Sequence, residues 1–98
     1  MANLNCSKSF KAQKDNYLAR DQEYSDLFDK LEKRISDYPK TGHPDNFIIE
    51  GRAIECCKQS IMLKLYDDKK MQMIITKQLS ITYVYNGTNI CLLDCFVS

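Results

Sequence analysis

Tryptophan is missing from this chain of 98 residues, and glycine and proline are scarce, at three and two. So few chain breakers exclude collagen-like and low-complexity architectures. No apolar run approaches the roughly 18–20 residues that cross a bilayer as a helix. The opening Met1-Ala2-Asn3-Leu4-Asn5-Cys6 lacks the apolar stretch of a signal peptide. A cytoplasmic protein with no membrane partner is expected. Neither sign of charge is in excess, since fourteen Lys and Arg stand against thirteen Asp and Glu, a formal +1. Without a global field, any nucleic-acid contact has to come from a local patch. Histidine occurs once, at His43, and the five cysteines (Cys6, Cys56, Cys57, Cys91, Cys95) include no C-x-x-C pair. A tetrahedral zinc site wants paired thiolates at close spacing plus a second such pair, so no metal is expected. On a strand, Cys91 and Cys95 lie about 13 Å apart on one face. The cysteines read as small buried hydrophobes rather than as half of a Cys–His nucleophile built on His43. Nothing calls for a cofactor.

What is present suits one α+β domain spanning residues 1–98. Hydrophobic residues make up 44% and charged residues 28%, enough for one modest core. Residues 2–6 are compatible with a brief strand, and Ser7 or Ser9 can cap the helix that follows. Phe10, Tyr17, Tyr24, Leu31 and Tyr38 recur every seven residues, with Leu27, Phe28 and Ile35 on the same side. That is the stripe of helix lying on a core, and a break near Ala19–Asp21 divides it into two antiparallel helices. Pro39-Lys40-Thr41-Gly42-His43-Pro44 ends the helical region. Residues 45–59 fit either a helix capped by Asp45, weakened by Gly51, or an extended loop.

From Met71 to Tyr85 the odd positions are mostly apolar and the even ones mostly Gln, Thr and Ser, the period-2 pattern of strands. Asn86-Gly87 fits the centre of a two-residue hairpin turn. It sets Tyr85 opposite Thr88, Tyr83 opposite Ile90 and Ile81 opposite Leu92. A three-residue loop at Asp67-Asp68-Lys69 sets Leu65 opposite Met71 and Leu63 opposite Met73. The expected architecture is a short N-terminal strand, two helices, and a three-strand antiparallel meander whose odd face the helices cover.

That order, with its local sequences, resembles the RelE/ParE/HigB superfamily of toxins from type II toxin–antitoxin pairs. Leu4 to Lys11 is similar to the family's first strand running into "S-K-S-F-K-K". Leu31 to Pro44 is similar to the end of its second helix and the P-x-x-G turn. Ile49-Glu50-Gly51 stands where many members have "L-x-G", and Ile81 to Phe96 resembles the last hairpin. The resemblance implies a RelE-like fold and a metal-free, ribosome-dependent mRNA endoribonuclease that inhibits translation. A cognate antitoxin, the ribosome and mRNA are the implied partners. The chain departs from the family in its chemistry: Ser80 replaces the arginine expected before Ile81, and Phe96-Val97-Ser98 replaces a basic or histidine ending. No histidine is expected on the sheet. The alternative is a non-catalytic RelE-fold binding protein, either gripping gyrase as the ParE members do or acting as a phage- or plasmid-borne inhibitor.

Attack of a ribose 2′-hydroxyl on the adjacent phosphate needs a proton acceptor, a proton donor and cations for the developing charge. For these the sequence offers Lys64, Lys77 and Tyr83 as catalytic candidates, and Lys69, Lys70 and Arg52 as RNA-binding ones. The competing structural explanation is solubility and edge protection for the lysines and core packing for Tyr83. Lys77 is the one charged residue in phase with the apolar set, so it either occupies a site, sits at a bend or snorkels past the sheet edge.

Overall fold

The structure is a computed structural model, which describes residues 3–98, so Ala2 of the expected first strand lies outside the described residues. Two helices lie on a mixed sheet of five strands in the order β1-β5-β4-β3-β2. β1 (Asn3–Cys6) leads into α1 (Lys8–Arg20) and α2 (Glu23–Asp37). A single 3₁₀ turn (Pro39–Thr41) follows, then β2 (His43–Ile49), β3 (Arg52–Asp67), β4 (Gln72–Tyr85) and β5 (Asn89–Val97). β2 to β5 run as an antiparallel meander, so the expected three strands become four, and β1 adds a parallel fifth against β5. No helix among the described residues is long and apolar enough to cross a membrane.

Ser7 caps α1, its Oγ accepting from the Phe10 amide at 3.0 Å and donating to the Leu93 carbonyl at 3.0 Å. The chain breaks between the helices at Asp21-Gln22, where the Asp21 carboxylate accepts from the Glu23 amide. α2 carries the fully amphipathic stripe, with Leu27, Phe28, Leu31 and Ile35 all buried. These pack with Phe10 on Leu79, Ile81, Tyr83, Ile90 and Leu92, so the odd face of β4 is the helix-covered one. A Phe10–Phe28 edge-to-face contact at 6.1 Å and the Lys14–Glu32 ion pair at 3.0 Å tie α1 to α2. β1 stops at Cys6, opposite Leu92, and α1 takes over its role, with Gln13 Oε1 accepting from the Cys95 amide at 2.9 Å.

Residues 45–59 are neither helix nor loop but a hairpin. Asp45 pairs with Cys56 instead of capping, and Glu50 and Gly51, with φ of 52° and 76°, form the tight reversal. Two central residues of positive φ match the twist of the flanking strands, at the cost of placing a glutamate where glycine or asparagine is usual.

The other two hairpins form where the sequence puts them but in different registers. At the last one Asn86 pairs with Asn89, so the central residues are Gly87 and Thr88, of which only Gly87 has positive φ (96°). The Asn86 side chain accepts from the Thr88 and Asn89 amides at 3.0 and 2.7 Å and fixes this choice. Tyr85 then faces Ile90 and Tyr83 faces Leu92, while a bulge beyond them brings Ile81 opposite Cys95. The bulge turns the buried set of β5 from even to odd positions, so Cys91 and Cys95 end on opposite faces. At the β3–β4 turn four residues intervene, Leu65 faces Ile74, and Leu63 faces Lys77. The register shift beside Thr76 swings Met73 and Ile75 away from the helices. The far ends of β3 and β4 therefore project as a two-stranded ribbon with Met62, Leu65, Tyr66, Met71, Met73 and Ile75 exposed. This ribbon contributes to the 47 × 27 × 25 Å shape.

Gly42 passes against the sheet so closely that a Cβ there would meet the Tyr83 hydroxyl and lie 2.9 Å from Cys57 Cβ. Gly42→Ala should therefore cost about 1–3 kcal/mol by overpacking, seen as a lower denaturant midpoint at unchanged slope. An unaltered midpoint would mean that residues 39–42 do not press on Tyr83 in solution.

Candidate functional site

Buried inside the sheet's helix-covered face, the Tyr83 hydroxyl donates to the Pro39 carbonyl at 2.7 Å and accepts from Gln59 Nε2 at 2.9 Å. The same Gln59 amide group reaches the Tyr38 carbonyl at 2.9 Å. The other end of Gln59, Oε1, accepts from Arg34 Nε at 3.1 Å, and Arg34 Nη2 donates to the Ser60 carbonyl. One chain of bonds thus runs from the 3₁₀ turn through Tyr83 and Gln59 to the Arg34 guanidinium. Among the described residues, no buried side-chain nitrogen or oxygen lacks a partner. Burial pushes the Tyr83 hydroxyl above its ordinary pKa. The Tyr83 hydroxyl is thus fully buried with both its hydrogen bonds made inside the protein.

At the surface end of this chain, Arg34, Thr41, His43, Lys58, Gln59, Ser60 and Met62 line a cleft of about 430 Å³. Its contents come from three places: α2 supplies Arg34, the end of the 3₁₀ turn and the start of β2 supply Thr41 and His43, and β3 supplies the rest. His43 stands directly opposite Lys58 in the β2–β3 ladder, which sets their Cβ atoms roughly 5 Å apart on one face. Lys58 in turn faces Thr82, and Thr82 faces Asp94. Next along the same face, the Ser60 and Ser80 hydroxyls share a 2.7 Å bond. An imidazole, an ammonium, a guanidinium and hydroxyl groups thus converge on a polar depression beside the sheet face the helices leave open.

The expectation that no histidine lies on the sheet is overturned, because β2 begins at His43. The sequence signal for it was weak: Pro44 beside His43 reads as a terminator, yet Pro is tolerated near the start of a strand. Ser80, which stands where an arginine was expected, holds Ser60. Nothing local in the sequence distinguishes Arg34 and Lys58 from other solvated charges.

The residues singled out from the sequence do not assemble. Lys77 points to the helix side, where Nζ donates to Asp21 Oδ2 at 2.5 Å and Glu23 Oε2 at 2.6 Å and sits 5.2 Å from the Tyr24 ring centroid. Those hydrogen bonds, Asp21 first, raise its pKa, and the Lys77 bond holds Asp21 below the ordinary aspartate value. Lys77 therefore clamps the corner between α1 and α2 to the sheet. Lys64 is exposed on the opposite face, in line with Lys58 but about 20 Å further along β3. Lys69 and Lys70 cap the ribbon tip, where their amides donate to Asp67 Oδ1. Arg52 lies at the other end of β3, beside the Glu50-Gly51 turn.

The cysteines offer no nucleophile to His43, since Pro44 rather than His43 faces Cys57. Burial raises the Cys56 thiol and pushes Cys95 up to about 12. Among the described residues no three His, Cys, Asp or Glu side chains gather as metal ligands would. Comparison with protein-family models, curated proteins and solved structures finds no match for the chain.

The Lys77 clamp makes a pH-dependent prediction. The Asp21 pKa is lower folded than unfolded, so its contribution is complete above the ordinary aspartate value and is lost as pH falls through it. The Lys77 pKa is higher folded than unfolded, so its contribution persists through neutral pH and is lost only above the ordinary lysine value. Asp21→Asn should flatten the acid limb of a plot of melting temperature against pH, and Lys77→Met the alkaline limb. Limbs identical to the parent's would show that the clamp does not form.

Proposed function

We propose that the chain is a toxin of the RelE/ParE/HigB kind, a ribosome-dependent mRNA endoribonuclease that needs no metal, works in the cytoplasm and is silenced by a cognate antitoxin. The observation that carries this reading is the convergence of His43, Lys58 and Arg34 on one cleft. The order of strand, two helices and meander adds to it, as does the local sequence resemblance. The residues assigned to the chemistry are these three rather than Lys64, Lys77 and Tyr83.

The reaction breaks the bond from phosphorus to the 5′-oxygen as the neighbouring 2′-hydroxyl attacks. His43 takes the 2′ proton, as a histidine is suited to do near neutral pH. Lys58, opposite it on the ladder, sits beside the phosphate whose negative charge grows in the transition state. The guanidinium of Arg34, held by Gln59 and the Ser60 carbonyl, has N–H groups left for a second phosphate oxygen. The proton that His43 has taken is returned to the departing 5′-oxygen, which restores the neutral imidazole and completes the step. Lys64, Lys69 and Lys70 continue the line of positive charge along β3 toward the ribbon tip and give the RNA backbone a track in a molecule of little net charge.

A second reading is a non-catalytic binding protein on the same fold. The observation favouring it is the ribbon's open face, where exposed Met62, Tyr66, Met73 and Ile75 surround Lys64. Such a patch marks contact with another macromolecule more often than with solvent alone.

Induced expression with primer-extension mapping of messages separates the two. The proposal predicts growth arrest with codon-positioned cuts, reduced roughly 10²- to 10³-fold by His43→Ala or Lys58→Ala. Arrest with intact messages supports the binding protein. Cutting by His43→Ala at the parent's rate would remove the cleft from the chemistry.

A further inference from the structure

β3 runs sixteen residues, but β2 accompanies it only from Arg52 to Lys58. Beyond Lys58 no strand among the described residues lies on that side. The direction of the bare groups can be read from two side chains. The Ser60 carbonyl points outward, because Arg34 reaches it from α2, and the Leu63 carbonyl points inward, because Thr76 Oγ1 donates to it at 3.1 Å. Strand amides alternate sides, so Met62, Lys64 and Tyr66 present both N–H and C=O to the open edge. A row of this kind is a template for another strand. The ribbon behind it has only two strands, one fewer than a sheet needs to stand unaided.

We infer that this edge pairs with the same edge of a second copy of the chain, antiparallel about a two-fold axis at Leu63. Three constraints exclude axes at Met62 and Lys64 and leave Leu63 or Leu65, between which the pairing of charge decides. Outward groups have to meet outward groups, so even residues stand opposite even ones. An axis at Met62 would run the other copy's Tyr66 against Lys58, whose outer side already carries His43. An axis at Lys64 would oppose the two Lys64 ammonium groups, which is unfavourable across a ladder. With the axis at Leu63, Met62 of each copy pairs with Lys64 of the other, giving four backbone hydrogen bonds, while Arg34 keeps the Ser60 carbonyl. Leu65, 57% exposed in the single chain, comes beside Ile61 on the helix side.

Charge fits the same register. Asp67 Oδ1 is engaged by the turn's own Lys69 and Lys70 amides, so Asp68 is the carboxylate at the tip that the turn does not use, with the Lys69 and Lys70 side chains beside it. Asp68 lies in the turn beyond the end of β3, so pairing about Leu63 brings its side chain toward the other copy's Lys58 without adding a ladder rung where His43 sits, twice by symmetry. The two ribbons become a four-stranded sheet, and the closed two-fold arrangement leaves the outer edges apart. Pairing with Asp68 takes Lys58 away from a phosphate, so the dimer and the proposed chemistry compete for that side chain, and the dimer is tested by association alone.

Sedimentation velocity on the full chain over a concentration series tests it. The parent should pass from monomer to dimer, with no larger species dominating. Lys64→Pro deletes two of the four intermolecular bonds while removing no N–H that the monomer's own ladder uses, so it should stay monomeric with its circular dichroism and melting curve intact. Asp68→Lys should raise the dimer dissociation constant on the order of tenfold, and combining it with Lys58→Asp should restore it. A parent that remains monomeric to millimolar concentration overturns the inference. So does a dimer indifferent to Lys64→Pro, or one on which the charge reversals have no reciprocal effect.

Discussion

The hydroxyl of Tyr83 is the point on which the molecule's two halves depend. It is the one polar atom of the largest fully buried side chain, and it has to be satisfied where water does not reach. Satisfying it draws in the Pro39 carbonyl from one side and Gln59 from the other. The first bond holds the 3₁₀ turn flat against the sheet, so the chain enters β2 with His43 facing Lys58. The second orients Gln59 so that its oxygen is presented to Arg34. Core and cleft are therefore one construction: the packing that buries Tyr83 also sets the separation of the three basic groups at the surface. Gly42 belongs to the same arrangement, because only a residue without a Cβ lets the turn come this close.

Charge in this protein works locally. A net +1 gives no long-range pull, and the ion pairs that form serve architecture. Lys77 closes the corner between the helices and Lys14 ties α1 to α2. Of the remaining positive groups, Lys58, Lys64, Lys69 and Lys70 form a line from mid-β3 to the ribbon tip, with Arg34 and His43 beside Lys58. The others are spread over the helices, the 3₁₀ turn and the start of β3. In a weakly charged protein such a line attracts only locally, and its field is screened beyond about 8–10 Å at physiological salt.

Much of the fold was legible in the sequence because its signals are periodic. The seven-residue stripe marks α1 and α2, though its last member, Tyr38, lies past the end of α2 and is exposed. The odd-position alternation of Leu79, Ile81 and Tyr83 marks the buried face. What escaped were events one residue long. A bulge beside Thr76 turns Met73 and Ile75 away from the core, and another near Leu93 moves the buried set of β5 to the other parity. Nothing in the composition of either segment announces an extra residue. Glu50 in a left-handed conformation hid the β2–β3 hairpin, since a glutamate there carries no turn signal. The cleft was illegible for a related reason. Arg34, His43 and Lys58 are brought together by the β2–β3 hairpin, which falls in the stretch whose sequence fits helix or loop as well as strand. Tyr83, chosen from the sequence as a catalytic group, proves to matter for the site through its hold on Gln59.

Direct observation of the Tyr83 hydroxyl proton tests the central claim. In a proton NMR spectrum of the folded chain near neutral pH, a hydroxyl buried between a carbonyl and an amide exchanges slowly enough with water to give a resolved resonance. It should show cross-relaxation to the Gln59 side-chain amide and vanish in Tyr83→Phe. A hydroxyl that exchanges too fast to be seen, with the Gln59 amide protons free of any contact to the ring, would contradict the network and with it the assembly of the cleft.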